Sequence, residues 1–257
     1  MFDLDCTAIE KYVIVPFSIE WWQTNILCML GIVVLLFISK SLSKAQLIKM
    51  TYFIGFLLCF RVVFMQLYQM QIDIWTFEKS IPIHLCGLSS ILSGLVMFRN
   101  NQLAYECLFY WGLGGALQSF LTPELNLGNK DLILYLDYFI SHSGIIFSAL
   151  YLTLILGMRP RQRSWFKVFL YSQLLIPVIG FVNFLINYLI VNDIISHCAI
   201  IVDGAIEGAA NYMYLFQKPM ADNPLLIGDW PYYIVGIEFF ALINFWLLYQ
   251  PVKLLKK

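Results

Sequence analysis

The chain has 257 residues, 60% of them hydrophobic and only 12% charged, with a mean hydropathy of +0.76. A soluble domain carries roughly 25% charged residues to cover its core, so an ordinary water-soluble enzyme is excluded and lipid must be the solvent. The 16 Lys plus Arg cancel the 16 Asp plus Glu, leaving no basic stripe for a nucleic-acid backbone and no acidic tail, so nucleic acid is not an expected partner.

Roughly 20 apolar helical residues cross a hydrocarbon core of about 30 Å. Seven stretches meet that requirement: Trp21 to Ile38, Met50 to Met70, Ile81 to Phe98, Leu103 to Leu121, Leu132 to Gly157, Trp165 to Ile190 and Pro231 to Tyr249. Upstream of the first, Asp3, Asp5, Glu10 and Glu20 stand where a secretory signal would have a basic flank and a short apolar core, so the first stretch is expected to remain as a span. The expected fold class is all-α, a polytopic membrane protein of seven transmembrane helices forming one domain over residues 1–257. The longest connection, Val191 to Trp230, has 40 residues, too few for a separate soluble domain. No internal repeat is visible, which weighs against an inverted-repeat transporter.

Lys and Arg collect in cytoplasmic loops. Alternate connections hold Lys40, Lys44 and Lys49; Arg99; Arg159, Arg161, Arg163 and Lys167; and Lys253, Lys256 and Lys257, which is 11 of the 16 basic residues. The other side has Lys11, Lys79, Lys130 and Lys218 together with thirteen acids. The N-terminus is therefore expected outside and the C-terminus inside, in agreement with an odd number of spans.

A polar residue within a span needs a reason. Arg61 is the most costly; Asp137 and Glu238 are its expected partners in a buried charge network, with Glu106 a weaker one. Other unusual residues gather towards the outer side: Pro82-Ile83-His84-Leu85-Cys86-Gly87, Leu121-Thr122-Pro123-Glu124, Ser141-His142-Ser143-Gly144, Asn187, Asn211-Tyr212-Met213-Tyr214, Lys218-Pro219 and Asp229-Trp230-Pro231. At about 1.5 Å per residue, Cys86 lies roughly 8 Å in from Ile81 and His142 roughly 15 Å from Leu132. The two meet at one depth if the long fifth stretch projects outwards.

Four of the six cysteines (Cys28, Cys59, Cys86 and Cys107) fall within spans, where a Cys is usually a small apolar side chain. Cys6 and Cys198 share the outer side and would pair in an oxidising compartment. The absence of CxxC and HxxxH spacings speaks against a metal or redox site, and no cofactor is expected. Cys86 is distinguished by Pro82, four residues earlier, which suits the first turn of a helix whose positive end favours a thiolate. A thiol nucleophile needs a proton acceptor that later returns the proton, a role for His. His84 would point to nearly the opposite side of a regular helix, so His142 is the better base, with Asp137, Ser141 or Ser143 to orient it; His197 sits in the long outer loop. The alternative is a set of satisfied structural side chains.

These residues also carry a resemblance. Pro82-Ile83-His84-Leu85-Cys86, Trp111-Gly112-Leu113-Gly114-Gly115-Ala116 with Gln118, Leu121-Thr122-Pro123, Phe139-Ile140-Ser141-His142, Asn211-Tyr212-Met213-Tyr214, Lys218-Pro219 and Trp230-Pro231 resemble the YwaF family of bacterial integral membrane proteins over roughly residues 80–235. That family is related to a human transmembrane acyltransferase of ether-phospholipid remodelling and, more distantly, to the androgen-induced-gene hydrolases of fatty-acid esters. The resemblance implies that Cys86 carries an acyl thioester and that His142, 56 residues later, assists; the hydrolase branch uses a Thr nucleophile instead. The stretch between Asn187 and Asn211 departs from the family and is expected to be a lid, an extra helix or a continuation of the sixth span.

The resulting expectation is a lipid acyltransferase in a bacterial cytoplasmic membrane, its site towards the outer leaflet and its acyl donor and acceptor both membrane lipids. His84, Gln118, Thr122, Asn211, Tyr212 and Lys218 are secondary substrate-binding candidates. A lipid ester hydrolase with the same residues is one alternative. A transporter or lipid-binding scaffold, in which Arg61, Asp137 and Glu238 line a path, is another.

Overall fold

A computed structural model describes residues 11–202, 205–219 and 226–255. Its frame is helical: α1 (Ile19–Ser41), α2 (Lys44–Gln71), α3 (Leu85–Phe98), α4 (Gln102–Cys107), a π-helical turn (Leu108–Gly112), α5 (Leu113–Leu121), α6 (Leu132–Leu154), α7 (Ser164–Val191) and α8 (Tyr232–Leu255). Helix starts follow side-chain chemistry. Ser18 accepts the Trp21 N–H, Asn101 that of Ala104 and Asp131 that of Leu134, while Ser43 and Gln46 form a reciprocal capping box that lets α2 begin almost directly after α1.

Five helices, α1, α2, α6, α7 and α8, are long and apolar enough to cross a membrane. The third and fourth expected spans differ. Residues 81–84 are not helical: a turn closed by Ser80 and Thr76 precedes them and the Ile83 N–H bonds the Ile81 carbonyl, so α3 has only 14 residues, about 21 Å. The fourth stretch is α4, the π turn and α5 in succession, widened just before the helix-weakening Gly112-Leu113-Gly114-Gly115 segment. The fifth ends at Leu154 rather than Gly157. Beyond α7 the chain forms an antiparallel hairpin of β3 (Ile200–Val202) and β4 (Ala205–Glu207), which corrects the expectation of an extra helix there.

Close approach of α2 and α3 rests on glycine. A Cβ on Gly94 would stand 2.5 Å from the Cys59 sulfur, and one on Gly55 2.8 Å from Met97 Cβ, the small-residue packing that lipid favours. Hydroxyl pairs tie further helices where no water competes: Thr51 with Tyr151 at 2.6 Å, Tyr105 with Thr153 at 2.8 Å, Tyr110 with Ser164 at 2.9 Å and the Trp111 indole with Ser172 at 2.8 Å. Glu106 does not serve Arg61; it is bound by Arg161 through the backbone N–H and the guanidinium.

A short pairing outside the helices matters for the site. β1 (Tyr12–Val13) runs antiparallel to β2 (Glu124–Leu125), directly after α5. Lys11 meets Glu124 at 3.2 Å, and the Trp21 indole and Asn25 amide donate to the carbonyls of Leu121 and Phe120. The N-terminal segment thus fixes the end of α5.

Candidate active site

A cavity of about 470 Å³ lies between α3, α5, α6, α7 and α8, closed by residues 122–128 and 213–219. That volume is typical of a ligand site. Cys86 and His142 both line it, as do Gln118, Ser119, Thr122, Tyr138, Asp137 and Glu238. From α7 and α8, Phe169, Ile176, Ile237, Phe240, Ala241 and Phe245 give it apolar lining, with Ser172, Glu238 and Asn244 among them.

Cys86 is the second residue of α3. Pro82 is not within the helix as expected; it precedes His84, the N-cap residue, and the turn folds back so closely that a Cβ on Gly87 would be 2.6 Å from the Pro82 carbonyl oxygen. The Pro-x-x-x-Cys-Gly spacing is thereby explained: glycine permits the fold-back that presents the adjoining cysteine. The His84 side chain does not cap α3, so the first-turn N–H groups keep their positive end beside the Cys86 thiol. The sulfur is 3.8 Å from the Ser119 hydroxyl, and a Cβ on Gly115 would come within 3.1 Å of it.

His142 is nearly buried, with Nδ1 2.6 Å from the Tyr138 carbonyl oxygen. A carbonyl only accepts, so in the neutral ring Nδ1 carries the hydrogen and Nε2 the lone pair. Asp137, Ser141 and Ser143 do not orient the ring; Asp137 serves Arg61, and Ser141 donates to Ser90. The orienting residue is Tyr138, absent from the expected set. Its hydroxyl donates to the Ser119 carbonyl at 3.0 Å and accepts the Glu124 N–H at 3.3 Å, and its ring lies 4.4 Å from the imidazole. One tyrosine therefore joins the α5 turn beside Cys86 to the helix carrying His142. Its position one helical turn before a His was the signal available in the sequence.

The charge network divides. Arg61 holds Asp137 at 2.5 Å and the Ser90 hydroxyl at 2.6 Å, whereas Glu238 accepts from Gln173. Glu238 is thus not Arg61's partner, a correction to the expected trio.

The secondary candidates also separate. Gln118 and Thr122 line the cavity and bond each other at 2.9 Å. His84 lines it too: as a non-helical cap residue it escapes the helical phase that would turn it away from Cys86, and its Nδ1 accepts the Met213 N–H at 3.2 Å. Tyr212 is fully buried, its hydroxyl donating to the Phe77 carbonyl and accepting the Ile81 N–H. Asn211 is engaged by the backbone of Phe216 and Gln217. Tyr212 is thus held in a structural place, whereas Asn211 also lines a second, smaller cavity. Lys218 pairs with exposed Asp229 at 3.2 Å. Cys198 is disulfide-bonded, and Cys6, its expected partner, lies outside the described residues.

Asn187, which stands out in the sequence, and Asn183, which does not, together hold this loop. Asn183 and Asn187, one turn apart on α7, each clamp a backbone amide and carbonyl: Asn183 those of Tyr212 (both 2.9 Å) and Asn187 those of Ala210 (2.7 and 3.1 Å). Met213 and Tyr214, held in left-handed backbone (φ 59° and 55°), line the cavity directly after the clamp. Such backbone persists only where its surroundings enforce it. Asn183→Ala is expected to orphan two buried backbone groups at about 1–3 kcal/mol each, read as a clear fall in the thermal midpoint of the protein in micelles.

A family model, described as the TMEM164 family, matches residues 16–249. The chain belongs to the TMEM164 family. It is a multi-pass integral membrane protein, as its five long apolar helices independently indicate. Searches of curated proteins and of solved structures returned no match. All of the residues that line the large cavity fall within the stretch matched to the TMEM164 family.

Proposed function

We propose that this TMEM164-family protein is a membrane-embedded lipid acyltransferase with Cys86 as nucleophile and His142 as acid and base. Carrying that reading is one observation: both side chains line a single cavity, with the His142 Nδ1–H held by the Tyr138 carbonyl so that Nε2 is the basic nitrogen. Nε2 takes the Cys86 proton as sulfur attacks the ester carbonyl of a phospholipid-type donor. The tetrahedral oxyanion is met by the uncapped N–H groups at the start of α3 and by Gln118. Its collapse breaks the ester C–O bond, Nε2–H protonates the departing alcohol, and the acyl group remains as a thioester. An acceptor hydroxyl then gives its proton to Nε2 and attacks the thioester carbonyl, and the thiolate leaves and is reprotonated.

The likeness of these motifs to YwaF-family proteins and their acyltransferase relatives belongs to the same proposal. So does the topology: the five long helices, α3 and the α4–α5 run as seven spans, N-terminus outside a bacterial cytoplasmic membrane and the site towards the outer leaflet. Cysteines introduced at residues 129 and 162 test the orientation. An impermeant maleimide is expected to label the first and not the second in intact cells, and the reverse pattern contradicts it.

Transfer and hydrolysis share these residues and differ only in the acceptor. Phospholipid labelled in its acyl chain, given with a lysolipid acceptor, is expected to yield labelled acceptor. Labelled free fatty acid alone would make the protein a hydrolase.

A further inference from the structure

A second, smaller cavity of about 240 Å³ adjoins the first, sharing Lys79, His84, Asn126 and Tyr214 with it. Their characters differ. The lining of the large cavity is mostly apolar, whereas three lysines, Lys11, Lys79 and Lys218, line the small one, with Glu78 as its one acid among the described residues.

The cations are partly committed. Lys11 contacts Glu124 at 3.2 Å and Lys218 contacts Asp229 at 3.2 Å. Each ammonium has three N–H donors, so both retain donors for a further acceptor. Asp229 is almost fully exposed, where a single ion pair is weak. Glu78 is buried, and one of its oxygens takes the Cys198 N–H. Lys79 sits at the junction of the two cavities, half-buried, and its ammonium is pushed down from its ordinary range first by burial and further by the Lys11 charge, with Glu78 opposing. A phosphate entering this cavity would accept charge-assisted hydrogen bonds from the lysines that line it.

We infer that the small cavity is a phosphate site that receives the head-group phosphate of an amphiphile whose chains occupy the large cavity, with Lys79 and Lys218 as its principal ligands and Lys11 in support. A largely apolar chamber joined to a smaller one lined by lysines matches the chains and phosphate of a phospholipid. A neutral diacylglycerol would fill the first and offer no anionic group to the lysines of the second. The inference rests on the lipid-site reading above, though not on its chemistry: the phosphate would bind whether or not Cys86 reacts.

Native mass spectrometry of the full chain, released from micelles doped with phosphatidylglycerol or with diacylglycerol of the same chains, tests it. Lys79→Gln and Lys218→Gln are each expected to lower phosphatidylglycerol retention about tenfold, the scale of one lost charge-assisted contact. Retention of diacylglycerol should not change, Lys79→Arg should restore most of the loss, and Lys40→Gln, on the far end of α1, should have no effect. Near-native melting of the variants confirms that they fold. Cys86→Ala should retain phosphatidylglycerol normally, so failure of the thioester chemistry leaves this outcome untouched. Equal retention by wild type and both Gln variants, or equal losses for the two lipids, would overturn the inference. Inorganic phosphate is the remaining arm. Lysine-dependent binding of phosphate alone, with no gain from attached chains, would assign the site to free phosphate and overturn the head-group assignment.

Discussion

Cys86→Ala is expected to reduce acyl transfer by at least about a thousandfold, because no other group in the cavity replaces a thiolate in a covalent route. Ser119 is the nearest hydroxyl, but it lies 3.8 Å from the sulfur and donates to the Gly115 carbonyl. His142→Gln keeps a polar ring-sized group and loses the basic nitrogen, with an expected loss of about 10²- to 10⁴-fold. The double variant should be little worse than Cys86→Ala alone, since the two act as one unit. The fold should survive: among the described residues, Cys86 has no side-chain hydrogen bond beyond its contact with Ser119. A transporter or scaffold reading predicts the opposite, full function in Cys86→Ala.

The second large effect concerns stability. Arg61→Gln leaves Asp137 charged within the bundle and removes the guanidinium donor from Ser90, and breaking one side of such a pair costs about 3–5 kcal/mol. In micelles this would appear as a large drop in the thermal midpoint, with Asp137→Asn similar. Replacing both partners by apolar residues, Arg61→Met with Asp137→Leu, should recover most of the loss, because the penalty comes from the orphaned charge. If Arg61 lined a transport path, the paired replacement would restore folding and still abolish function. Glu238 is bound to Gln173 and Asp137 to Arg61, so the two acids lining the cavity are held by different partners.

Much of this arrangement is legible in the chain. Hydropathy finds the five long helices because in lipid every span must be apolar over its whole length. The concentration of polar motifs places Cys86, His142, Gln118 and Thr122 around one space. Periodicity fails at two kinds of position. His84 is misjudged because the helix begins one residue later, and a cap residue does not follow the helical phase. The sequence leaves Asp137 open to Arg61 or His142, and it pairs with Arg61 as expected; Glu238, the other expected partner of Arg61, goes to Gln173 instead, a choice of packing that no local pattern encodes. Tyr138 and Asn183 act through backbone atoms, His142's ring on one carbonyl and an amide clamp on Tyr212; such roles leave little trace in residue type. The tight turn before α3 is the reverse case: Pro82 and Gly87 mark it in sequence, but their meaning emerges only from the 2.6 Å approach of the glycine to the proline carbonyl.

The central claim is that Cys86 carries the acyl group. Intact mass of the purified protein incubated with phospholipid, before and after hydroxylamine, tests this most directly. The account predicts one added acyl mass that hydroxylamine removes, mapped to Cys86, absent in Cys86→Ala and accumulating when the acceptor lipid is withheld. A protein that turns over lipid while Cys86 never bears a hydroxylamine-labile adduct would contradict it.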